Sequence, residues 1–191
     1  MTPFPVLVAV LGWLCLGLEL GLRGTLDVPV GSLSAAPSYV VPLLVFICLW
    51  ATPAQALWSA MGLGLALDLV TRLSTVDGAL VVVPGAHAIG FLLAAQFVLA
   101  VRGLVIRRNP LTTAMVSILA AVILHIVVTS IITARHLYDP SLAWSAGSEL
   151  GARMLSALMT GGSGLVLGII LMPLAPAIGA HGIHQRHYGR R

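Results

Sequence analysis

GLGLALDLVTR, residues 62–72, is an apolar run that carries one aspartate and one arginine four residues apart. On a helix this spacing puts Asp68 and Arg72 on one face, acid before base, which is the favourable order for an ion pair. Gly62 and Gly64 precede them, and small residues let a second helix approach closely. A carboxylate that deep in an apolar helix faces protein rather than lipid. The run therefore reads as the inner face of a helix bundle inside a membrane.

The rest of the chain points the same way. It has 191 residues, 59% of them hydrophobic and only 8% charged, and its mean hydropathy is +1.04. A soluble domain carries roughly a quarter charged residues, so this chain has too few to cover a globular surface. The expected fold is all-α: an integral membrane bundle of six transmembrane helices in a single domain with short loops. The apolar segments run over about residues 5–22, 36–51, 54–71, 79–101, 111–134 and 149–178, followed by a basic tail at 179–191. Pro53 separates the second segment from the third.

All ten basic residues are arginine, and the net charge is +4. Arg102, Arg107 and Arg108 follow the fourth segment, and Arg186, Arg190 and Arg191 lie in the tail. The positive-inside rule puts both clusters in the cytoplasm. With six spans the N-terminus is also cytoplasmic, and loops 23–38 and 135–148 face outward. The basic residues have no aromatic interleaving, so nucleic acid is not the expected partner; the lipid bilayer is. LSAAPS at residues 33–38 offers small residues for signal cleavage. No positive region precedes the first segment, however, and Glu19 and Arg23 lie before that site, so a retained helix is the expectation.

Two more acid–base pairs share the spacing of Asp68 and Arg72: Glu19 with Arg23, and Glu149 with Arg153. By the topology above, all three lie at outward helix ends. The simplest reading is local neutralisation near the interface, where charges can snorkel. The sharper reading is that they meet across helices and line an outward cavity or a partner-binding polar site. Gly17 with Gly21 and Gly164 with Gly168 form small-xxx-small pairs for helix packing, and with them the first, third and sixth segments are expected to make a contiguous core. His87 and His125 lie within segments with no carboxylate near them in sequence, and each reads as an interhelical donor. No nucleophile–base constellation and no metal-ligand spacing is visible. His181, His184 and His187 belong to a tail expected to rest on anionic lipid. Cys15 and Cys48 read as small buried hydrophobes. No catalytic residue, metal or cofactor is expected.

The run PSYVVPLLVFICLWATPAQALWSAMGLGLALDLV at residues 37–70, followed by DGALVVVPGAHAIGFLL at 77–93, resembles the bacterial rod-shape-determining protein MreD family. Pro37 or Pro42, Gly62, Gly64, Asp68 and Gly78 occupy the places of that family's proline-led span, glycine-spaced helix with a late aspartate, and glycine-containing turn. The likeness covers about residues 37–108 and loosens beyond them. STVDGAL departs from it, since the family more often has a hydrophobic residue directly before that glycine. The resemblance implies a fold similar to the substrate-binding subunits of energy-coupling-factor vitamin transporters. It implies a non-enzymatic role in the cell-elongation, or rod-shape, machinery of the bacterial cytoplasmic (inner) membrane. The implied partners are an MreC-like bitopic protein and, through it, MreB filaments, a SEDS glycosyltransferase and its transpeptidase. The main alternative is a small-solute-binding subunit of a membrane transporter. Such a pocket wants aromatic stacking residues, and Trp13, Trp50, Trp58 and Trp144 are scattered. A lipid-acting membrane enzyme lacks a visible nucleophile or metal site.

Overall fold

The computed structural model describes residues 4–30, 33–75, 77–106, 109–141 and 144–176. Arg107, Arg108, the end of the sixth expected segment and the whole basic tail with its histidines lie outside the described residues.

Those residues fold as six α-helices joined by two short hairpins. Helix α1 is Phe4–Leu26, α2 is Val40–Trp50, α3 is Pro53–Val70, α4 is Ala86–Val101, α5 is Pro110–Tyr138 and α6 is Ala146–Leu171. Strands β1 (Val28–Val30) and β2 (Leu33–Ala35) pair antiparallel between α1 and α2. Strands β3 (Leu73–Ser74) and β4 (Leu80–Val81) do the same between α3 and α4. Three helices, α1, α5 and α6 with the 3₁₀ turn that continues it, are long and apolar enough to cross a membrane.

Local sequence explains the helix starts. Thr52 and Gln55 form a reciprocal capping box with Pro53 at the first helical position, so α3 starts with only Ala51 and Thr52 between it and α2. Asn109 accepts from the amide of Leu111 and Pro110 opens α5 in the same way. Helix α4 begins at Ala86 rather than Ala79, because the β4 strand and Pro84 intervene and Gly85, at φ 96°, takes the left-handed conformation ahead of it.

The core is built on α2. Every residue from Val40 to Leu49 is buried, and α2 touches each of the other five helices. The expectation that the first, third and sixth segments form the contiguous core is corrected accordingly. A helix apolar on all sides belongs inside a bundle. The most extensive pairs around it are α5 with α6 and α3 with α4. Along the α5–α6 seam, a Cβ added at Gly164 would lie 3.2 Å from Ala114 Cα, and one at Gly168 3.3 Å from Pro110 Cα. Descending α5 partners against ascending α6 glycines make the pair antiparallel. Helix α1 is peripheral: only Phe4, Gly12 and Cys15 are buried.

Candidate functional site

Asp68 sits two residues before the end of α3 and is 2% exposed. Its partner is not Arg72. Both carboxylate oxygens face the start of α4: Oδ2 accepts from the Gly85 amide at 2.8 Å and the Ala88 amide at 3.2 Å, and Oδ1 accepts from the His87 amide at 2.9 Å. His87 Nδ1 lies 2.8 Å from Oδ1, and a carboxylate acceptor there fixes the ring proton on Nδ1. A helix N-terminus presents unpaired amides and partial positive charge, and a carboxylate satisfies both. Gly64 makes this approach possible, since a Cβ on it would lie 2.5 Å from Ala88 Cα. Arg72 is exposed beyond the helix end, and neither it nor the other candidates, Arg23 and Arg153, bonds Asp68 among the described residues. His87, read from sequence as an interhelical donor with no carboxylate near it in sequence, is such a donor, and its acceptor is the carboxylate of Asp68 on α3.

Glu19 repeats the device at α2. Its Oε2 accepts from Ser38 Oγ at 2.9 Å, the Tyr39 amide at 3.1 Å and the Val40 amide at 3.2 Å. Three hydroxyls of α6 hold the extended segment ahead of that helix. Ser156 Oγ donates to the Ala36 carbonyl, Thr160 Oγ1 accepts from the Ser38 amide, and Ser163 Oγ donates to the Ser38 carbonyl. At the other end, Arg102 Nη1 donates to the carbonyls of Ala51 at 3.1 Å and Cys48 at 3.4 Å. The central helix thus carries an anion at its N-terminus and a cation at its C-terminus, as its dipole favours. Arg102, read from sequence as a loop charge, is part of that cap.

These N-termini border a cavity of ≈ 260 Å³ at one end of the bundle. Glu19, Arg23, His87, His125, Glu149 and Arg153 all line it, so charged groups of α1 and α6 share one cavity, with no ion pair between the two helices among the described residues. Only one of the three sequence pairs closes as a pair: Arg153 Nε lies 3.3 Å from Glu149 Oε2, with its guanidinium 5.6 Å from the centroid of the Trp144 ring. Arg23 is exposed and makes no hydrogen bond or ion pair among the described residues; Glu19 is turned to α2 instead. Both ring nitrogens of His125 are buried with no partner.

Of the six packing glycines, Gly64, Gly164 and Gly168 lie at helix contacts, whereas a Cβ on Gly17, Gly21 or Gly62 would meet nothing within 4 Å. Gly12, Gly90 and Gly161 pack closely in their place. Sequence reading missed His87, Ser38 and the α6 hydroxyls as site residues. The Ser156, Thr160, Ser163 spacing, on one face of a helix, was the available signal.

Chemically, the cavity end brings two glutamates and two arginines together, with Glu19 Oε2 engaged by the start of α2 and Glu149 Oε2 by Arg153. Among the described residues no group of three or more His, Cys, Asp or Glu side chains could hold a metal ion, and no described hydroxyl or thiol hydrogen-bonds His87. No protein-family model matches the chain, and no curated protein or solved structure matches it either.

Proposed function

We propose that the chain is a non-enzymatic membrane component of the bacterial cell-elongation machinery, of the MreD type. In this reading it binds an MreC-like bitopic protein and helps couple MreB filaments to peptidoglycan synthesis by a SEDS glycosyltransferase and its transpeptidase. It crosses the cytoplasmic membrane six times with both termini inside, in a bundle similar to the substrate-binding subunits of energy-coupling-factor transporters. Helix α2 is compatible with that count. Its 11 residues reach about 16 Å as a helix, and the non-helical residues 36–38 ahead of it add up to about 10 Å. Together they approach the roughly 30 Å of a hydrocarbon core. Non-helical backbone at that depth is tolerated only inside protein, where Glu19 and the α6 hydroxyls serve it.

One observation carries the reading. The motif behind the family resemblance coincides with the α3–α4 crossing, where Gly64 meets Ala88 and Asp68 caps α4. Its aspartate therefore builds a scaffold rather than attacking a substrate. The test is affinity capture of the tagged full-length chain from membranes that also carry an MreC-like bitopic coiled-coil protein. Stoichiometric co-capture, lost together with rod shape in assembled-protein-deficient variants, supports the proposal; a folded chain that captures no such partner rejects it. Reporter fusions at Asn109 and after Arg191 should both report cytoplasm, and one near Asp139 the outside.

The cavity favours a second reading, a small-solute-binding subunit of a transporter. Native mass spectrometry of the purified chain separates the two: a stoichiometric water-soluble organic solute belongs to the transporter.

A further inference from the structure

Helix α4 packs against α2, α3 and α5. The side left over carries Ile89, Leu93, Gln96 and Ala100, all exposed. Steps of four, three and four residues make these a straight seam along one side of the helix. Three of the four are apolar, as a face turned to lipid requires. The fourth is a carboxamide, with two donor hydrogens and an acceptor oxygen, and it makes no hydrogen bond among the described residues. Ser130, exposed on α5, meets the same surroundings from within its own helix, because its hydroxyl donates to the Ile126 carbonyl.

Gln96 is too deep to reach water. A Cβ on Gly90 would lie 2.6 Å from Leu124 Cδ1 and 3.3 Å from Val128 Cγ2, so Gly90 stands level with residues 124–128 of α5. The short connection at 102–109 makes the two helices antiparallel. Gln96, a further six residues along α4, is therefore level with about residue 120. Helix α5 runs over Pro110–Tyr138, so its middle is Leu124. At 1.5 Å per residue the Gln96 level is about 6 Å from that middle. With α5 centred in a hydrocarbon core roughly 30 Å thick, it lies about 9 Å inside the core's edge, beyond the reach of a glutamine side chain. Polar side chains at such depth face protein, because an unpaired amide in hydrocarbon is costly.

We infer that this face of α4 is a self-association surface: two copies of the chain pair through their α4 helices, each Gln96 carboxamide donating to the oxygen of the other. A second copy is the occupant that the chemistry selects. A carboxamide both donates and accepts, so it is complementary to itself, whereas a partner offering only donors or only acceptors would leave half of it unmet. Two copies in one membrane share an orientation. A two-fold axis along the membrane normal then sets their α4 helices parallel, with each seam residue opposite its own counterpart. The 89, 93, 96, 100 seam meets itself in register, with one polar position to fix that register. Ala100, one turn below the amide, is small enough to let the helices close there. The pairing rests on the membrane-spanning reading proposed above and on no particular protein partner.

The experiment places the full-length chain, labelled at its amino terminus, in phosphatidylcholine vesicles at a series of protein-to-lipid ratios. Energy transfer between donor- and acceptor-labelled copies reads association. The wild-type chain should form a dimer. Gln96→Leu should weaken it about tenfold, the scale of two interhelical hydrogen bonds in a membrane, while unfolding in micelles no lower than wild type, since the position lies outside the core. Gln96→Asn keeps the carboxamide and should stay within about threefold of wild type. Oxidative cross-linking should join copies of Leu93→Cys and of Gln96→Cys but not of Leu165→Cys, on the exposed side of α6; the native Cys15 and Cys48 are buried. A chain that stays monomeric at every ratio would overturn the inference and leave the face to another protein's helix or to lipid. A dimer that Gln96→Leu does not weaken, or that cross-links through α6 and not α4, would overturn the surface. Gln96→Asn as weak as Gln96→Leu would overturn the role of the carboxamide, and a lowered unfolding temperature in Gln96→Leu would make Gln96 part of the fold instead.

Discussion

Asp68 and Glu19 each reach from one helix to the N-terminus of the next, yet their surroundings differ. Asp68 is buried at a backbone-to-backbone crossing, and both its oxygens are occupied by three amides and an imidazole. Glu19 is half-buried at the edge of a polar cavity and gives one oxygen to two amides and a hydroxyl. The same chemical device thus locks two helices where water is excluded and tethers a peripheral helix where water can enter. An unsatisfied amide costs far more in the first setting than in the second, because only there does nothing replace the lost acceptor.

The largest effect is therefore expected at Asp68. Asp68→Ala orphans three amides at the start of α4, each worth about 1–3 kcal/mol when buried and unpaired. A loss of about 3–5 kcal/mol follows, read as a fall in thermal unfolding temperature in micelles and in accumulated protein. Asp68→Asn keeps an acceptor oxygen for part of the set and should fall between alanine and wild type. A well-accumulated Asp68→Ala protein with the wild-type unfolding temperature would break the comparison at its root.

Gly64 sharpens it, because the Asp68 cap requires α3 and α4 to be this close. In Gly64→Ala the new methyl would lie 2.5 Å from Ala88 Cα and 2.8 Å from its amide nitrogen, backbone atoms that cannot swing aside. Overpacking of this kind costs about 1–3 kcal/mol. Gly62→Ala, two residues away on an open face, should cost under about 1 kcal/mol, and its helix propensity is favourable. Equal unfolding temperatures for the two alanine variants would mean that the crossing is looser than its geometry.

Glu19→Ala should cost about 1 kcal/mol, the ordinary worth of a helix cap, because water from the cavity can take over the exposed amides of α2. Its distinguishing readout is local: hydrogen exchange at Tyr39 and Val40 should accelerate while exchange in α4 does not. For Asp68→Ala the pattern reverses, with α4 amides exchanging faster. Faster exchange throughout the bundle in the Glu19 variant would place the two caps on one footing.

Much of this was legible in the sequence, and the illegible part has a physical cause. Few charges and long apolar runs identify a membrane bundle because lipid admits little else. The inward direction of Asp68 was legible because a lipid-facing carboxylate is costly. Its partner was not. The i, i+4 rule names Arg72, a flexible cation at a helix end, whereas α4 offers fixed amides and a dipole from a position 17 to 20 residues away that only the α3–α4 crossing brings near. His87 was hidden for the same reason. The central place of α2 was written in a run with no polar face, but its short length makes such a run ambiguous until its neighbours are known. Glycine spacing shows that close packing is possible without showing which face is packed, so Gly64 and Gly168 meet helices while Gly17 and Gly21 face outward.

The smallest effect is expected where sequence spacing promised a bond. Arg72 stands four residues after Asp68, exposed beyond the end of α3, and makes no hydrogen bond or ion pair among the described residues. Asp68, meanwhile, has no lone pair directed toward it, since its oxygens are engaged by α4. Arg72→Gln should therefore change stability by no more than about 0.5 kcal/mol, the scale of a surface substitution away from any special feature. The double variant Asp68→Ala with Arg72→Gln should be as unstable as Asp68→Ala alone. If the two were an ion pair, removing the arginine would relieve part of the damage caused by losing its acid, because the costly half of a broken pair is the charge left behind. A coupling energy near zero in that double-mutant cycle, measured by thermal unfolding in micelles, is the outcome that separates a helix cap from a salt bridge. A coupling above about 1 kcal/mol would return Arg72 to the site and leave the amides of α4 in a secondary role.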